Sequence, residues 1–76
     1  MDIMASSIRL TGREQALVAA VVDGCGNREI ARRFGVREQT VKNQLSVLFQ
    51  KLSVSSRVAL AMYAVRHGLG ERERGK

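Results

Sequence analysis

No proline occurs anywhere in the 76 residues, so only glycine and capping residues can bring a helix to a stop. The seven glycines stand at 12, 24, 26, 35, 68, 70 and 75, mostly where one apolar-periodic stretch gives way to the next. With only two Phe and one Tyr as aromatics, and few alternating β-branched runs, nothing supplies a sheet. The pattern predicts an all-α chain. At 8.4 kDa it is one domain, because either half alone could not bury a core without disulfides or metals.

Residues 1–9 carry no period and are expected to form a flexible N-terminal segment. Residues 70–76, charged throughout apart from glycine, are expected to form a solvated, flexible tail. The working unit is then 10–69, a four-helix bundle with helices near 12–23, 28–34, 38–53 and 56–68. Thr11 and Glu14 have capping-box spacing at the first helix, where Leu17 and Val21 are the main core contacts. That helix stops at Asp23-Gly24-Cys25-Gly26. Asn27 is expected to cap the second helix, with Ile30, Ala31 and Phe34 turned inward, and Gly35 breaks it. A short helix, a glycine-containing turn and a helix of about 16 residues make the outline of a helix-turn-helix. Ser55 or Ser56 starts the fourth helix, and Gly68-Leu69 fits a Schellman-type stop.

The third helix is the most informative. At 100° per residue, Val41, Leu45, Leu48 and Leu52 fall within about 60° of one another and must face the core. Gln39, Lys42, Asn43, Ser46 and Gln50 cluster opposite, without a carboxylate among them. An exposed helix face ordinarily mixes Glu with Lys to gain i,i+4 pairs. Lys, Asn, Gln and Ser alone are the side chains that hydrogen-bond to phosphates and to purine edges in the major groove.

Charge points the same way. The chain carries +6 with a pI near 10.8. Arg28, Arg32, Arg33, Arg37, Lys42, Lys51 and Arg57, set against Glu29 and Glu38, put +5 of it between residues 28 and 57. Arg32, Arg33 and Arg37 bracket the turn before the third helix. Arg57, with Ser55 and Ser56, marks the start of the fourth, whose free N–H groups favour a phosphate.

Leu10-Thr11-x-Arg13-Glu14, Gly24-x-x-Asn27-Arg28-Glu29-Ile30-Ala31, Thr40-Val41-Lys42-Asn43 and Lys51-Leu52-x-Val54-x-x-Arg57, closed by Gly68-Leu69, resemble the LuxR-type (GerE-like) helix-turn-helix domain. The likeness covers about 60 of the 76 residues, in order and without a gap. It implies sequence-specific binding of double-stranded DNA for transcription regulation in a bacterial cytoplasm. The third helix would enter the major groove and the fourth would supply a dimer contact. By position, Lys42, Asn43 and Ser46 match base-facing residues, and Gln39, Thr40, Lys51 and Arg57 match backbone contacts, joined by Arg32 and Arg37 from the charge pattern. RNA polymerase or another regulator is a further partner of the kind the resemblance allows. Three positions depart from the family pattern. Arg37 stands where the cap of the third helix is usually Ser or Thr, a loss of about 0.5–2 kcal/mol. Gln44 stands where histidine is common, and Phe49 is bulkier than the usual aliphatic.

In the fourth helix Leu60, Ala61 and Ala64 form the inward stripe. Val58, Met62 and Leu69 lie near the opposite side with Ala59 beside them and Arg66 at the margin. A helix apolar on both sides wants a second partner. A weak two-fold dimer, favoured by DNA, is expected. The alternative is a protein-interaction module that keeps the fold and binds another regulator through this helix.

Enzymatic chemistry has little to stand on, and no catalytic, metal or cofactor residue is assigned. His67, the sole histidine, sits in the last helical turn, where a cation complements the dipole. Cys25, the sole cysteine, forms no internal disulfide or cysteine-based metal site. No apolar run nears the roughly 20 residues that span a bilayer.

Overall fold

A computed structural model describes residues 9–69. The expected flexible segment (apart from Arg9) and the expected charged tail lie outside the described residues. Four helices follow in order: α1 Gly12–Val22, α2 Asn27–Phe34, α3 Glu38–Leu52 and α4 Arg57–His67. Each bound lies within a residue of expectation, and no strand is present among the described residues.

The helices form two pairs. α1 packs against α4, α2 packs against α3, and α1 makes a thinner contact with α3. Leu17 and Val18 of α1, Ile30 of α2, Val41 and Leu48 of α3, and Leu60 of α4 are completely buried between them. Leu45, Leu52 and Ala64 complete the stripes expected of α3 and α4, while Ala61 is only half-buried. α1 buries more than Leu17 and Val21, because Val18 and Ala20 are also enclosed. A helix caught between two neighbours needs an apolar sector wider than one stripe.

All four helices end in the same way. Gly24, Gly35, Ser53 and Gly68 are left-handed, and the N–H of the following residue bonds five residues back, from Cys25 to Ala20, Val36 to Ala31, Val54 to Phe49 and Leu69 to Ala64. This is the Schellman closure. The residue after each left-handed position then packs on the core: Cys25 within it, Val36, Val54 and Leu69 against it. Three of these positions hold glycine, which takes positive φ freely. Ser53 at φ 57° is the only non-glycine to do so among the described residues, at a steric cost.

The helix starts are less uniform. α1 has the expected capping box: the Glu14 N–H donates to Thr11 Oγ1 at 3.1 Å and the Thr11 N–H donates to Glu14 Oε1 at 2.9 Å. At α4 the cap is Ser56, whose Oγ accepts from the Ala59 N–H at 3.0 Å. α3 begins at Arg37 with no side-chain cap, as its side chain dictates. Asn27 does not cap α2, contrary to expectation. Gly26 holds that position, without a side-chain bond, and Asn27 is already helical. The Asn27 amide oxygen is taken instead by Arg57, 30 residues away.

Candidate nucleic-acid interface

Because Val41, Leu45, Leu48 and Leu52 are buried, the rotation of α3 is fixed and its far face must open to solvent. Gln39, Lys42, Asn43, Ser46 and Gln50 are all exposed there, so the structure brings the expected polar face together as one surface. Gln39 Nε2 donates to Asn43 Oδ1 at 3.0 Å across one helical turn. Such a bond orients both amides and leaves further donors and acceptors on each free for an outside partner. Val47, also outward and 57% exposed, is the one large apolar side chain on this helix left in water. Glu38, in the first turn of α3, is its only acid.

Arg32 and Arg37 stand exposed on either side of the Gly35-Val36 turn. Arg33 lies 3.5 Å from Glu29 one turn earlier, an exposed pair that partly neutralises that flank and contributes little to stability. Thr40 is half-buried.

The other two expected backbone contacts are engaged within the fold. Lys51 Nζ donates to Glu14 Oε1 at 2.8 Å, pinning the last turn of α3 to the capping box of α1. The Lys51 ammonium and then the Thr11 N–H hold the Glu14 carboxyl below its ordinary value, since both stabilise the carboxylate. Arg57 is half-buried and donates to Asn27 Oδ1 at 2.8 Å and to the Cys25 carbonyl at 2.7 Å. It still borders the α3 face, in a shallow cleft lined by Asn27, Lys42, Leu45, Ser46, Phe49 and Arg57.

A second groove runs between the start of α1 and α3, lined by Thr11, Arg13, Glu14, Leu17, Asn43, Gln44 and Val47. The Arg13 guanidinium sits 4.7 Å from the centre of the Phe34 ring, a cation–π contact from α1 to α2. The side-chain oxygen of Gln44, at the position where the family commonly has histidine, is buried without a partner.

On α4, Val58 is 68% and Met62 57% exposed. Arg66 is exposed, while Ala59 and Leu69 are half-buried. The sequence reading missed Val65, which at 71% is the most exposed large hydrophobic side chain described. Its signal was present: 58, 62 and 65 follow the i, i+4, i+7 progression of a single helical stripe. Tyr63 packs on His67 with ring centres 4.2 Å apart, so both side chains are occupied along the same helix.

Cys25 is a free, buried thiol. Among the described residues no group of three His, Cys, Asp or Glu side chains is placed to hold a metal ion. No helix there is long and apolar enough to cross a membrane.

The family model for bacterial regulatory proteins of the luxR family (GerE) matches residues 9–64. The transcriptional regulatory protein LnrK of Bacillus subtilis is 42% identical over 60 residues, which make up 79% of this chain and 27% of LnrK. The probable transcriptional regulatory protein SgaR of Hyphomicrobium methylovorum is 46% identical over 55 residues, 71% of this chain and 26% of SgaR. The transcriptional regulatory protein DesR of B. subtilis is 33% identical over 57 residues, 75% of this chain and 29% of DesR. The chain spans between a quarter and a third of the length of these curated relatives.

Proposed function

Because the chain belongs to the luxR family of bacterial regulatory proteins, we propose that its 10–69 unit binds double-stranded DNA sequence-specifically and regulates transcription. α3 enters the major groove. Lys42, Asn43 and Ser46 contact base edges there: the two longer side chains hydrogen-bond to purines, and the short serine suits either kind of edge. Gln39, Arg32 and Arg37 contact phosphates around the turn and supply much of the affinity. Thr40, half-buried, reaches at most one phosphate at the margin of the groove.

One observation carries this proposal. The outward face of α3 is exposed and lacks acids beyond the first turn, on a helix whose rotation the buried stripe fixes. A merely solvated helix gains from interleaved carboxylates. A face meant for a polyanion loses by them.

The same proposal makes the protein a two-fold dimer through α4, with Val58, Met62 and Val65 at the centre, and with Ala59, Arg66 and Leu69, which is half-buried against the core past the end of the helix, at the edge. Covering one such side chain contributes about 1–2 kcal/mol, while association costs roughly 4–15 kcal/mol. The dimer is therefore weak in solution and assembles on its operator. The exposed valines also support the second reading, an interaction module whose α4 binds another regulator.

Lys42→Ala discriminates between the two readings. DNA binding predicts a folded variant, shown by an unchanged helical circular dichroism spectrum, with weaker operator affinity and relaxed preference at one base position. A folded Lys42→Ala with unchanged affinity contradicts the placement of α3.

A further inference from the structure

Arg57 is the first residue of α4, yet its guanidinium reaches back to the turn between α1 and α2. It donates to Asn27 Oδ1 at 2.8 Å and to the Cys25 carbonyl at 2.7 Å. Cys25 lies three residues past the end of α1 and Asn27 is the first residue of α2, so the guanidinium bridges the connection between these two helices, and its planar fork serves both acceptors at once.

The bond to Asn27 joins the first residue of α2 to the first residue of α4. The chain it closes contains α2, the turn and α3, the whole helix-turn-helix. The α2/α3 pair meets the α1/α4 pair mainly through the thin contact of α1 with α3, so each polar tie across that seam counts. Arg57 lies over the seam in the cleft it shares with Lys42 and Ser46.

We propose that Arg57 is a positioning residue. Through Asn27 and the Cys25 carbonyl it fixes the angle at which the α2/α3 pair presents Lys42, Asn43 and Ser46, and it is not itself a phosphate ligand. The proposal rests on the DNA-binding function above. A phosphate ligand and a positioning residue differ in how binding responds to salt. Losing a cation that neutralises a phosphate lowers the slope of log affinity against log salt by about 0.9 per chain, and it weakens specific and non-specific binding alike. Losing a tie that aims the base-reading face weakens specific binding alone and leaves the slope unchanged.

The test compares wild type, Arg57→Gln and Asn27→Ala on a selected operator and on unrelated duplex DNA, across a salt titration and corrected for the folded fraction. Asn27→Ala removes one acceptor without altering any charge, and it serves as the readout should Arg57→Gln fail to fold. The expected result is a loss of about tenfold or more in the ratio of operator to unrelated-DNA affinity in both variants, with the salt slope of wild type. A slope reduced by about 0.9 per chain in Arg57→Gln, with Asn27→Ala equal to wild type, overturns the proposal and makes Arg57 a phosphate contact. An unchanged ratio in both variants, in a wild type that selects its site, overturns it as well and leaves the bonds purely stabilising. A wild type that selects no site overturns the DNA-binding function, and the positioning role with it.

Discussion

The two helix pairs share one core but turn opposite chemistries to solvent. The outward face of α3 is Gln39, Lys42, Asn43, Ser46 and Gln50, with one valine. The outward face of α4 is Val58, Met62 and Val65, each more than half exposed. Both helices bury a proper stripe inward, so the core did not demand either arrangement. What is left outside after the core is satisfied is where partners are chosen, and under the proposed function the polar face meets a polyanion and the apolar face a second copy of the chain.

The largest expected effect comes from breaking the apolar side of that contrast. Met62→Asp with Val65→Asp puts two carboxylates on each facing helix. Dimer on operator DNA should vanish in analytical ultracentrifugation, and operator affinity should fall by on the order of 100-fold, the contribution of a tethered second half-site. A double variant still dimeric on operator would break the comparison at α4. Next comes the polar side. Lys42→Ala should weaken operator binding by roughly tenfold or more, about 1–3 kcal/mol, in a gel-shift titration, with monomer–dimer behaviour in the absence of DNA unchanged. The two faces would then be shown to act separately.

A smaller effect sharpens the seam between the pairs. Glu14→Gln removes the ion pair with Lys51 and weakens the capping box, at a cost of about 1 kcal/mol at neutral pH. The folded-state value of Glu14 is lowered, so its contribution is fully present above the ordinary carboxylate range and is lost as pH falls through the lowered value. Urea unfolding curves of wild type and variant should therefore differ at neutral pH and converge in acid. Curves equally separated at both pH values would assign the loss to packing instead. The smallest effect is a gain. Ser53→Gly relieves a left-handed serine at about 1–2 kcal/mol, less the greater freedom of glycine in the unfolded chain, for a net of about 0.5 kcal/mol in thermal unfolding.

Much of this fold was legible before any coordinates, because its signals are local. Capping residues, glycines at helix ends and the stripe 41, 45, 48, 52 depend only on neighbours within a turn or two, and the helix bounds followed from them. The polar face of α3 was legible for the same reason: once the stripe is fixed, the opposite face is fixed. What stayed hidden depends on residues far apart in sequence. Asn27 has every property of a helix cap, but its oxygen is taken by an arginine 30 residues on. Lys51 and Arg57 have every property of phosphate contacts, and only tertiary structure joins them to Glu14 and Cys25. Val65 was missed on different grounds. It fits the outward stripe of α4, but with Leu60, Ala61 and Ala64 beside it in sequence it merged into a run apolar on all sides.

The measurement that reaches the central claim most directly is selection of binding sites from a pool of random DNA duplexes at near-physiological salt, followed by sequencing. The expected result is an enriched inverted repeat, with half-sites whose purines match the reach of Lys42 and Asn43. Binding without enrichment, lost steeply as salt rises, would mean that the α3 face senses only phosphate charge. That result would contradict sequence-specific recognition by this face.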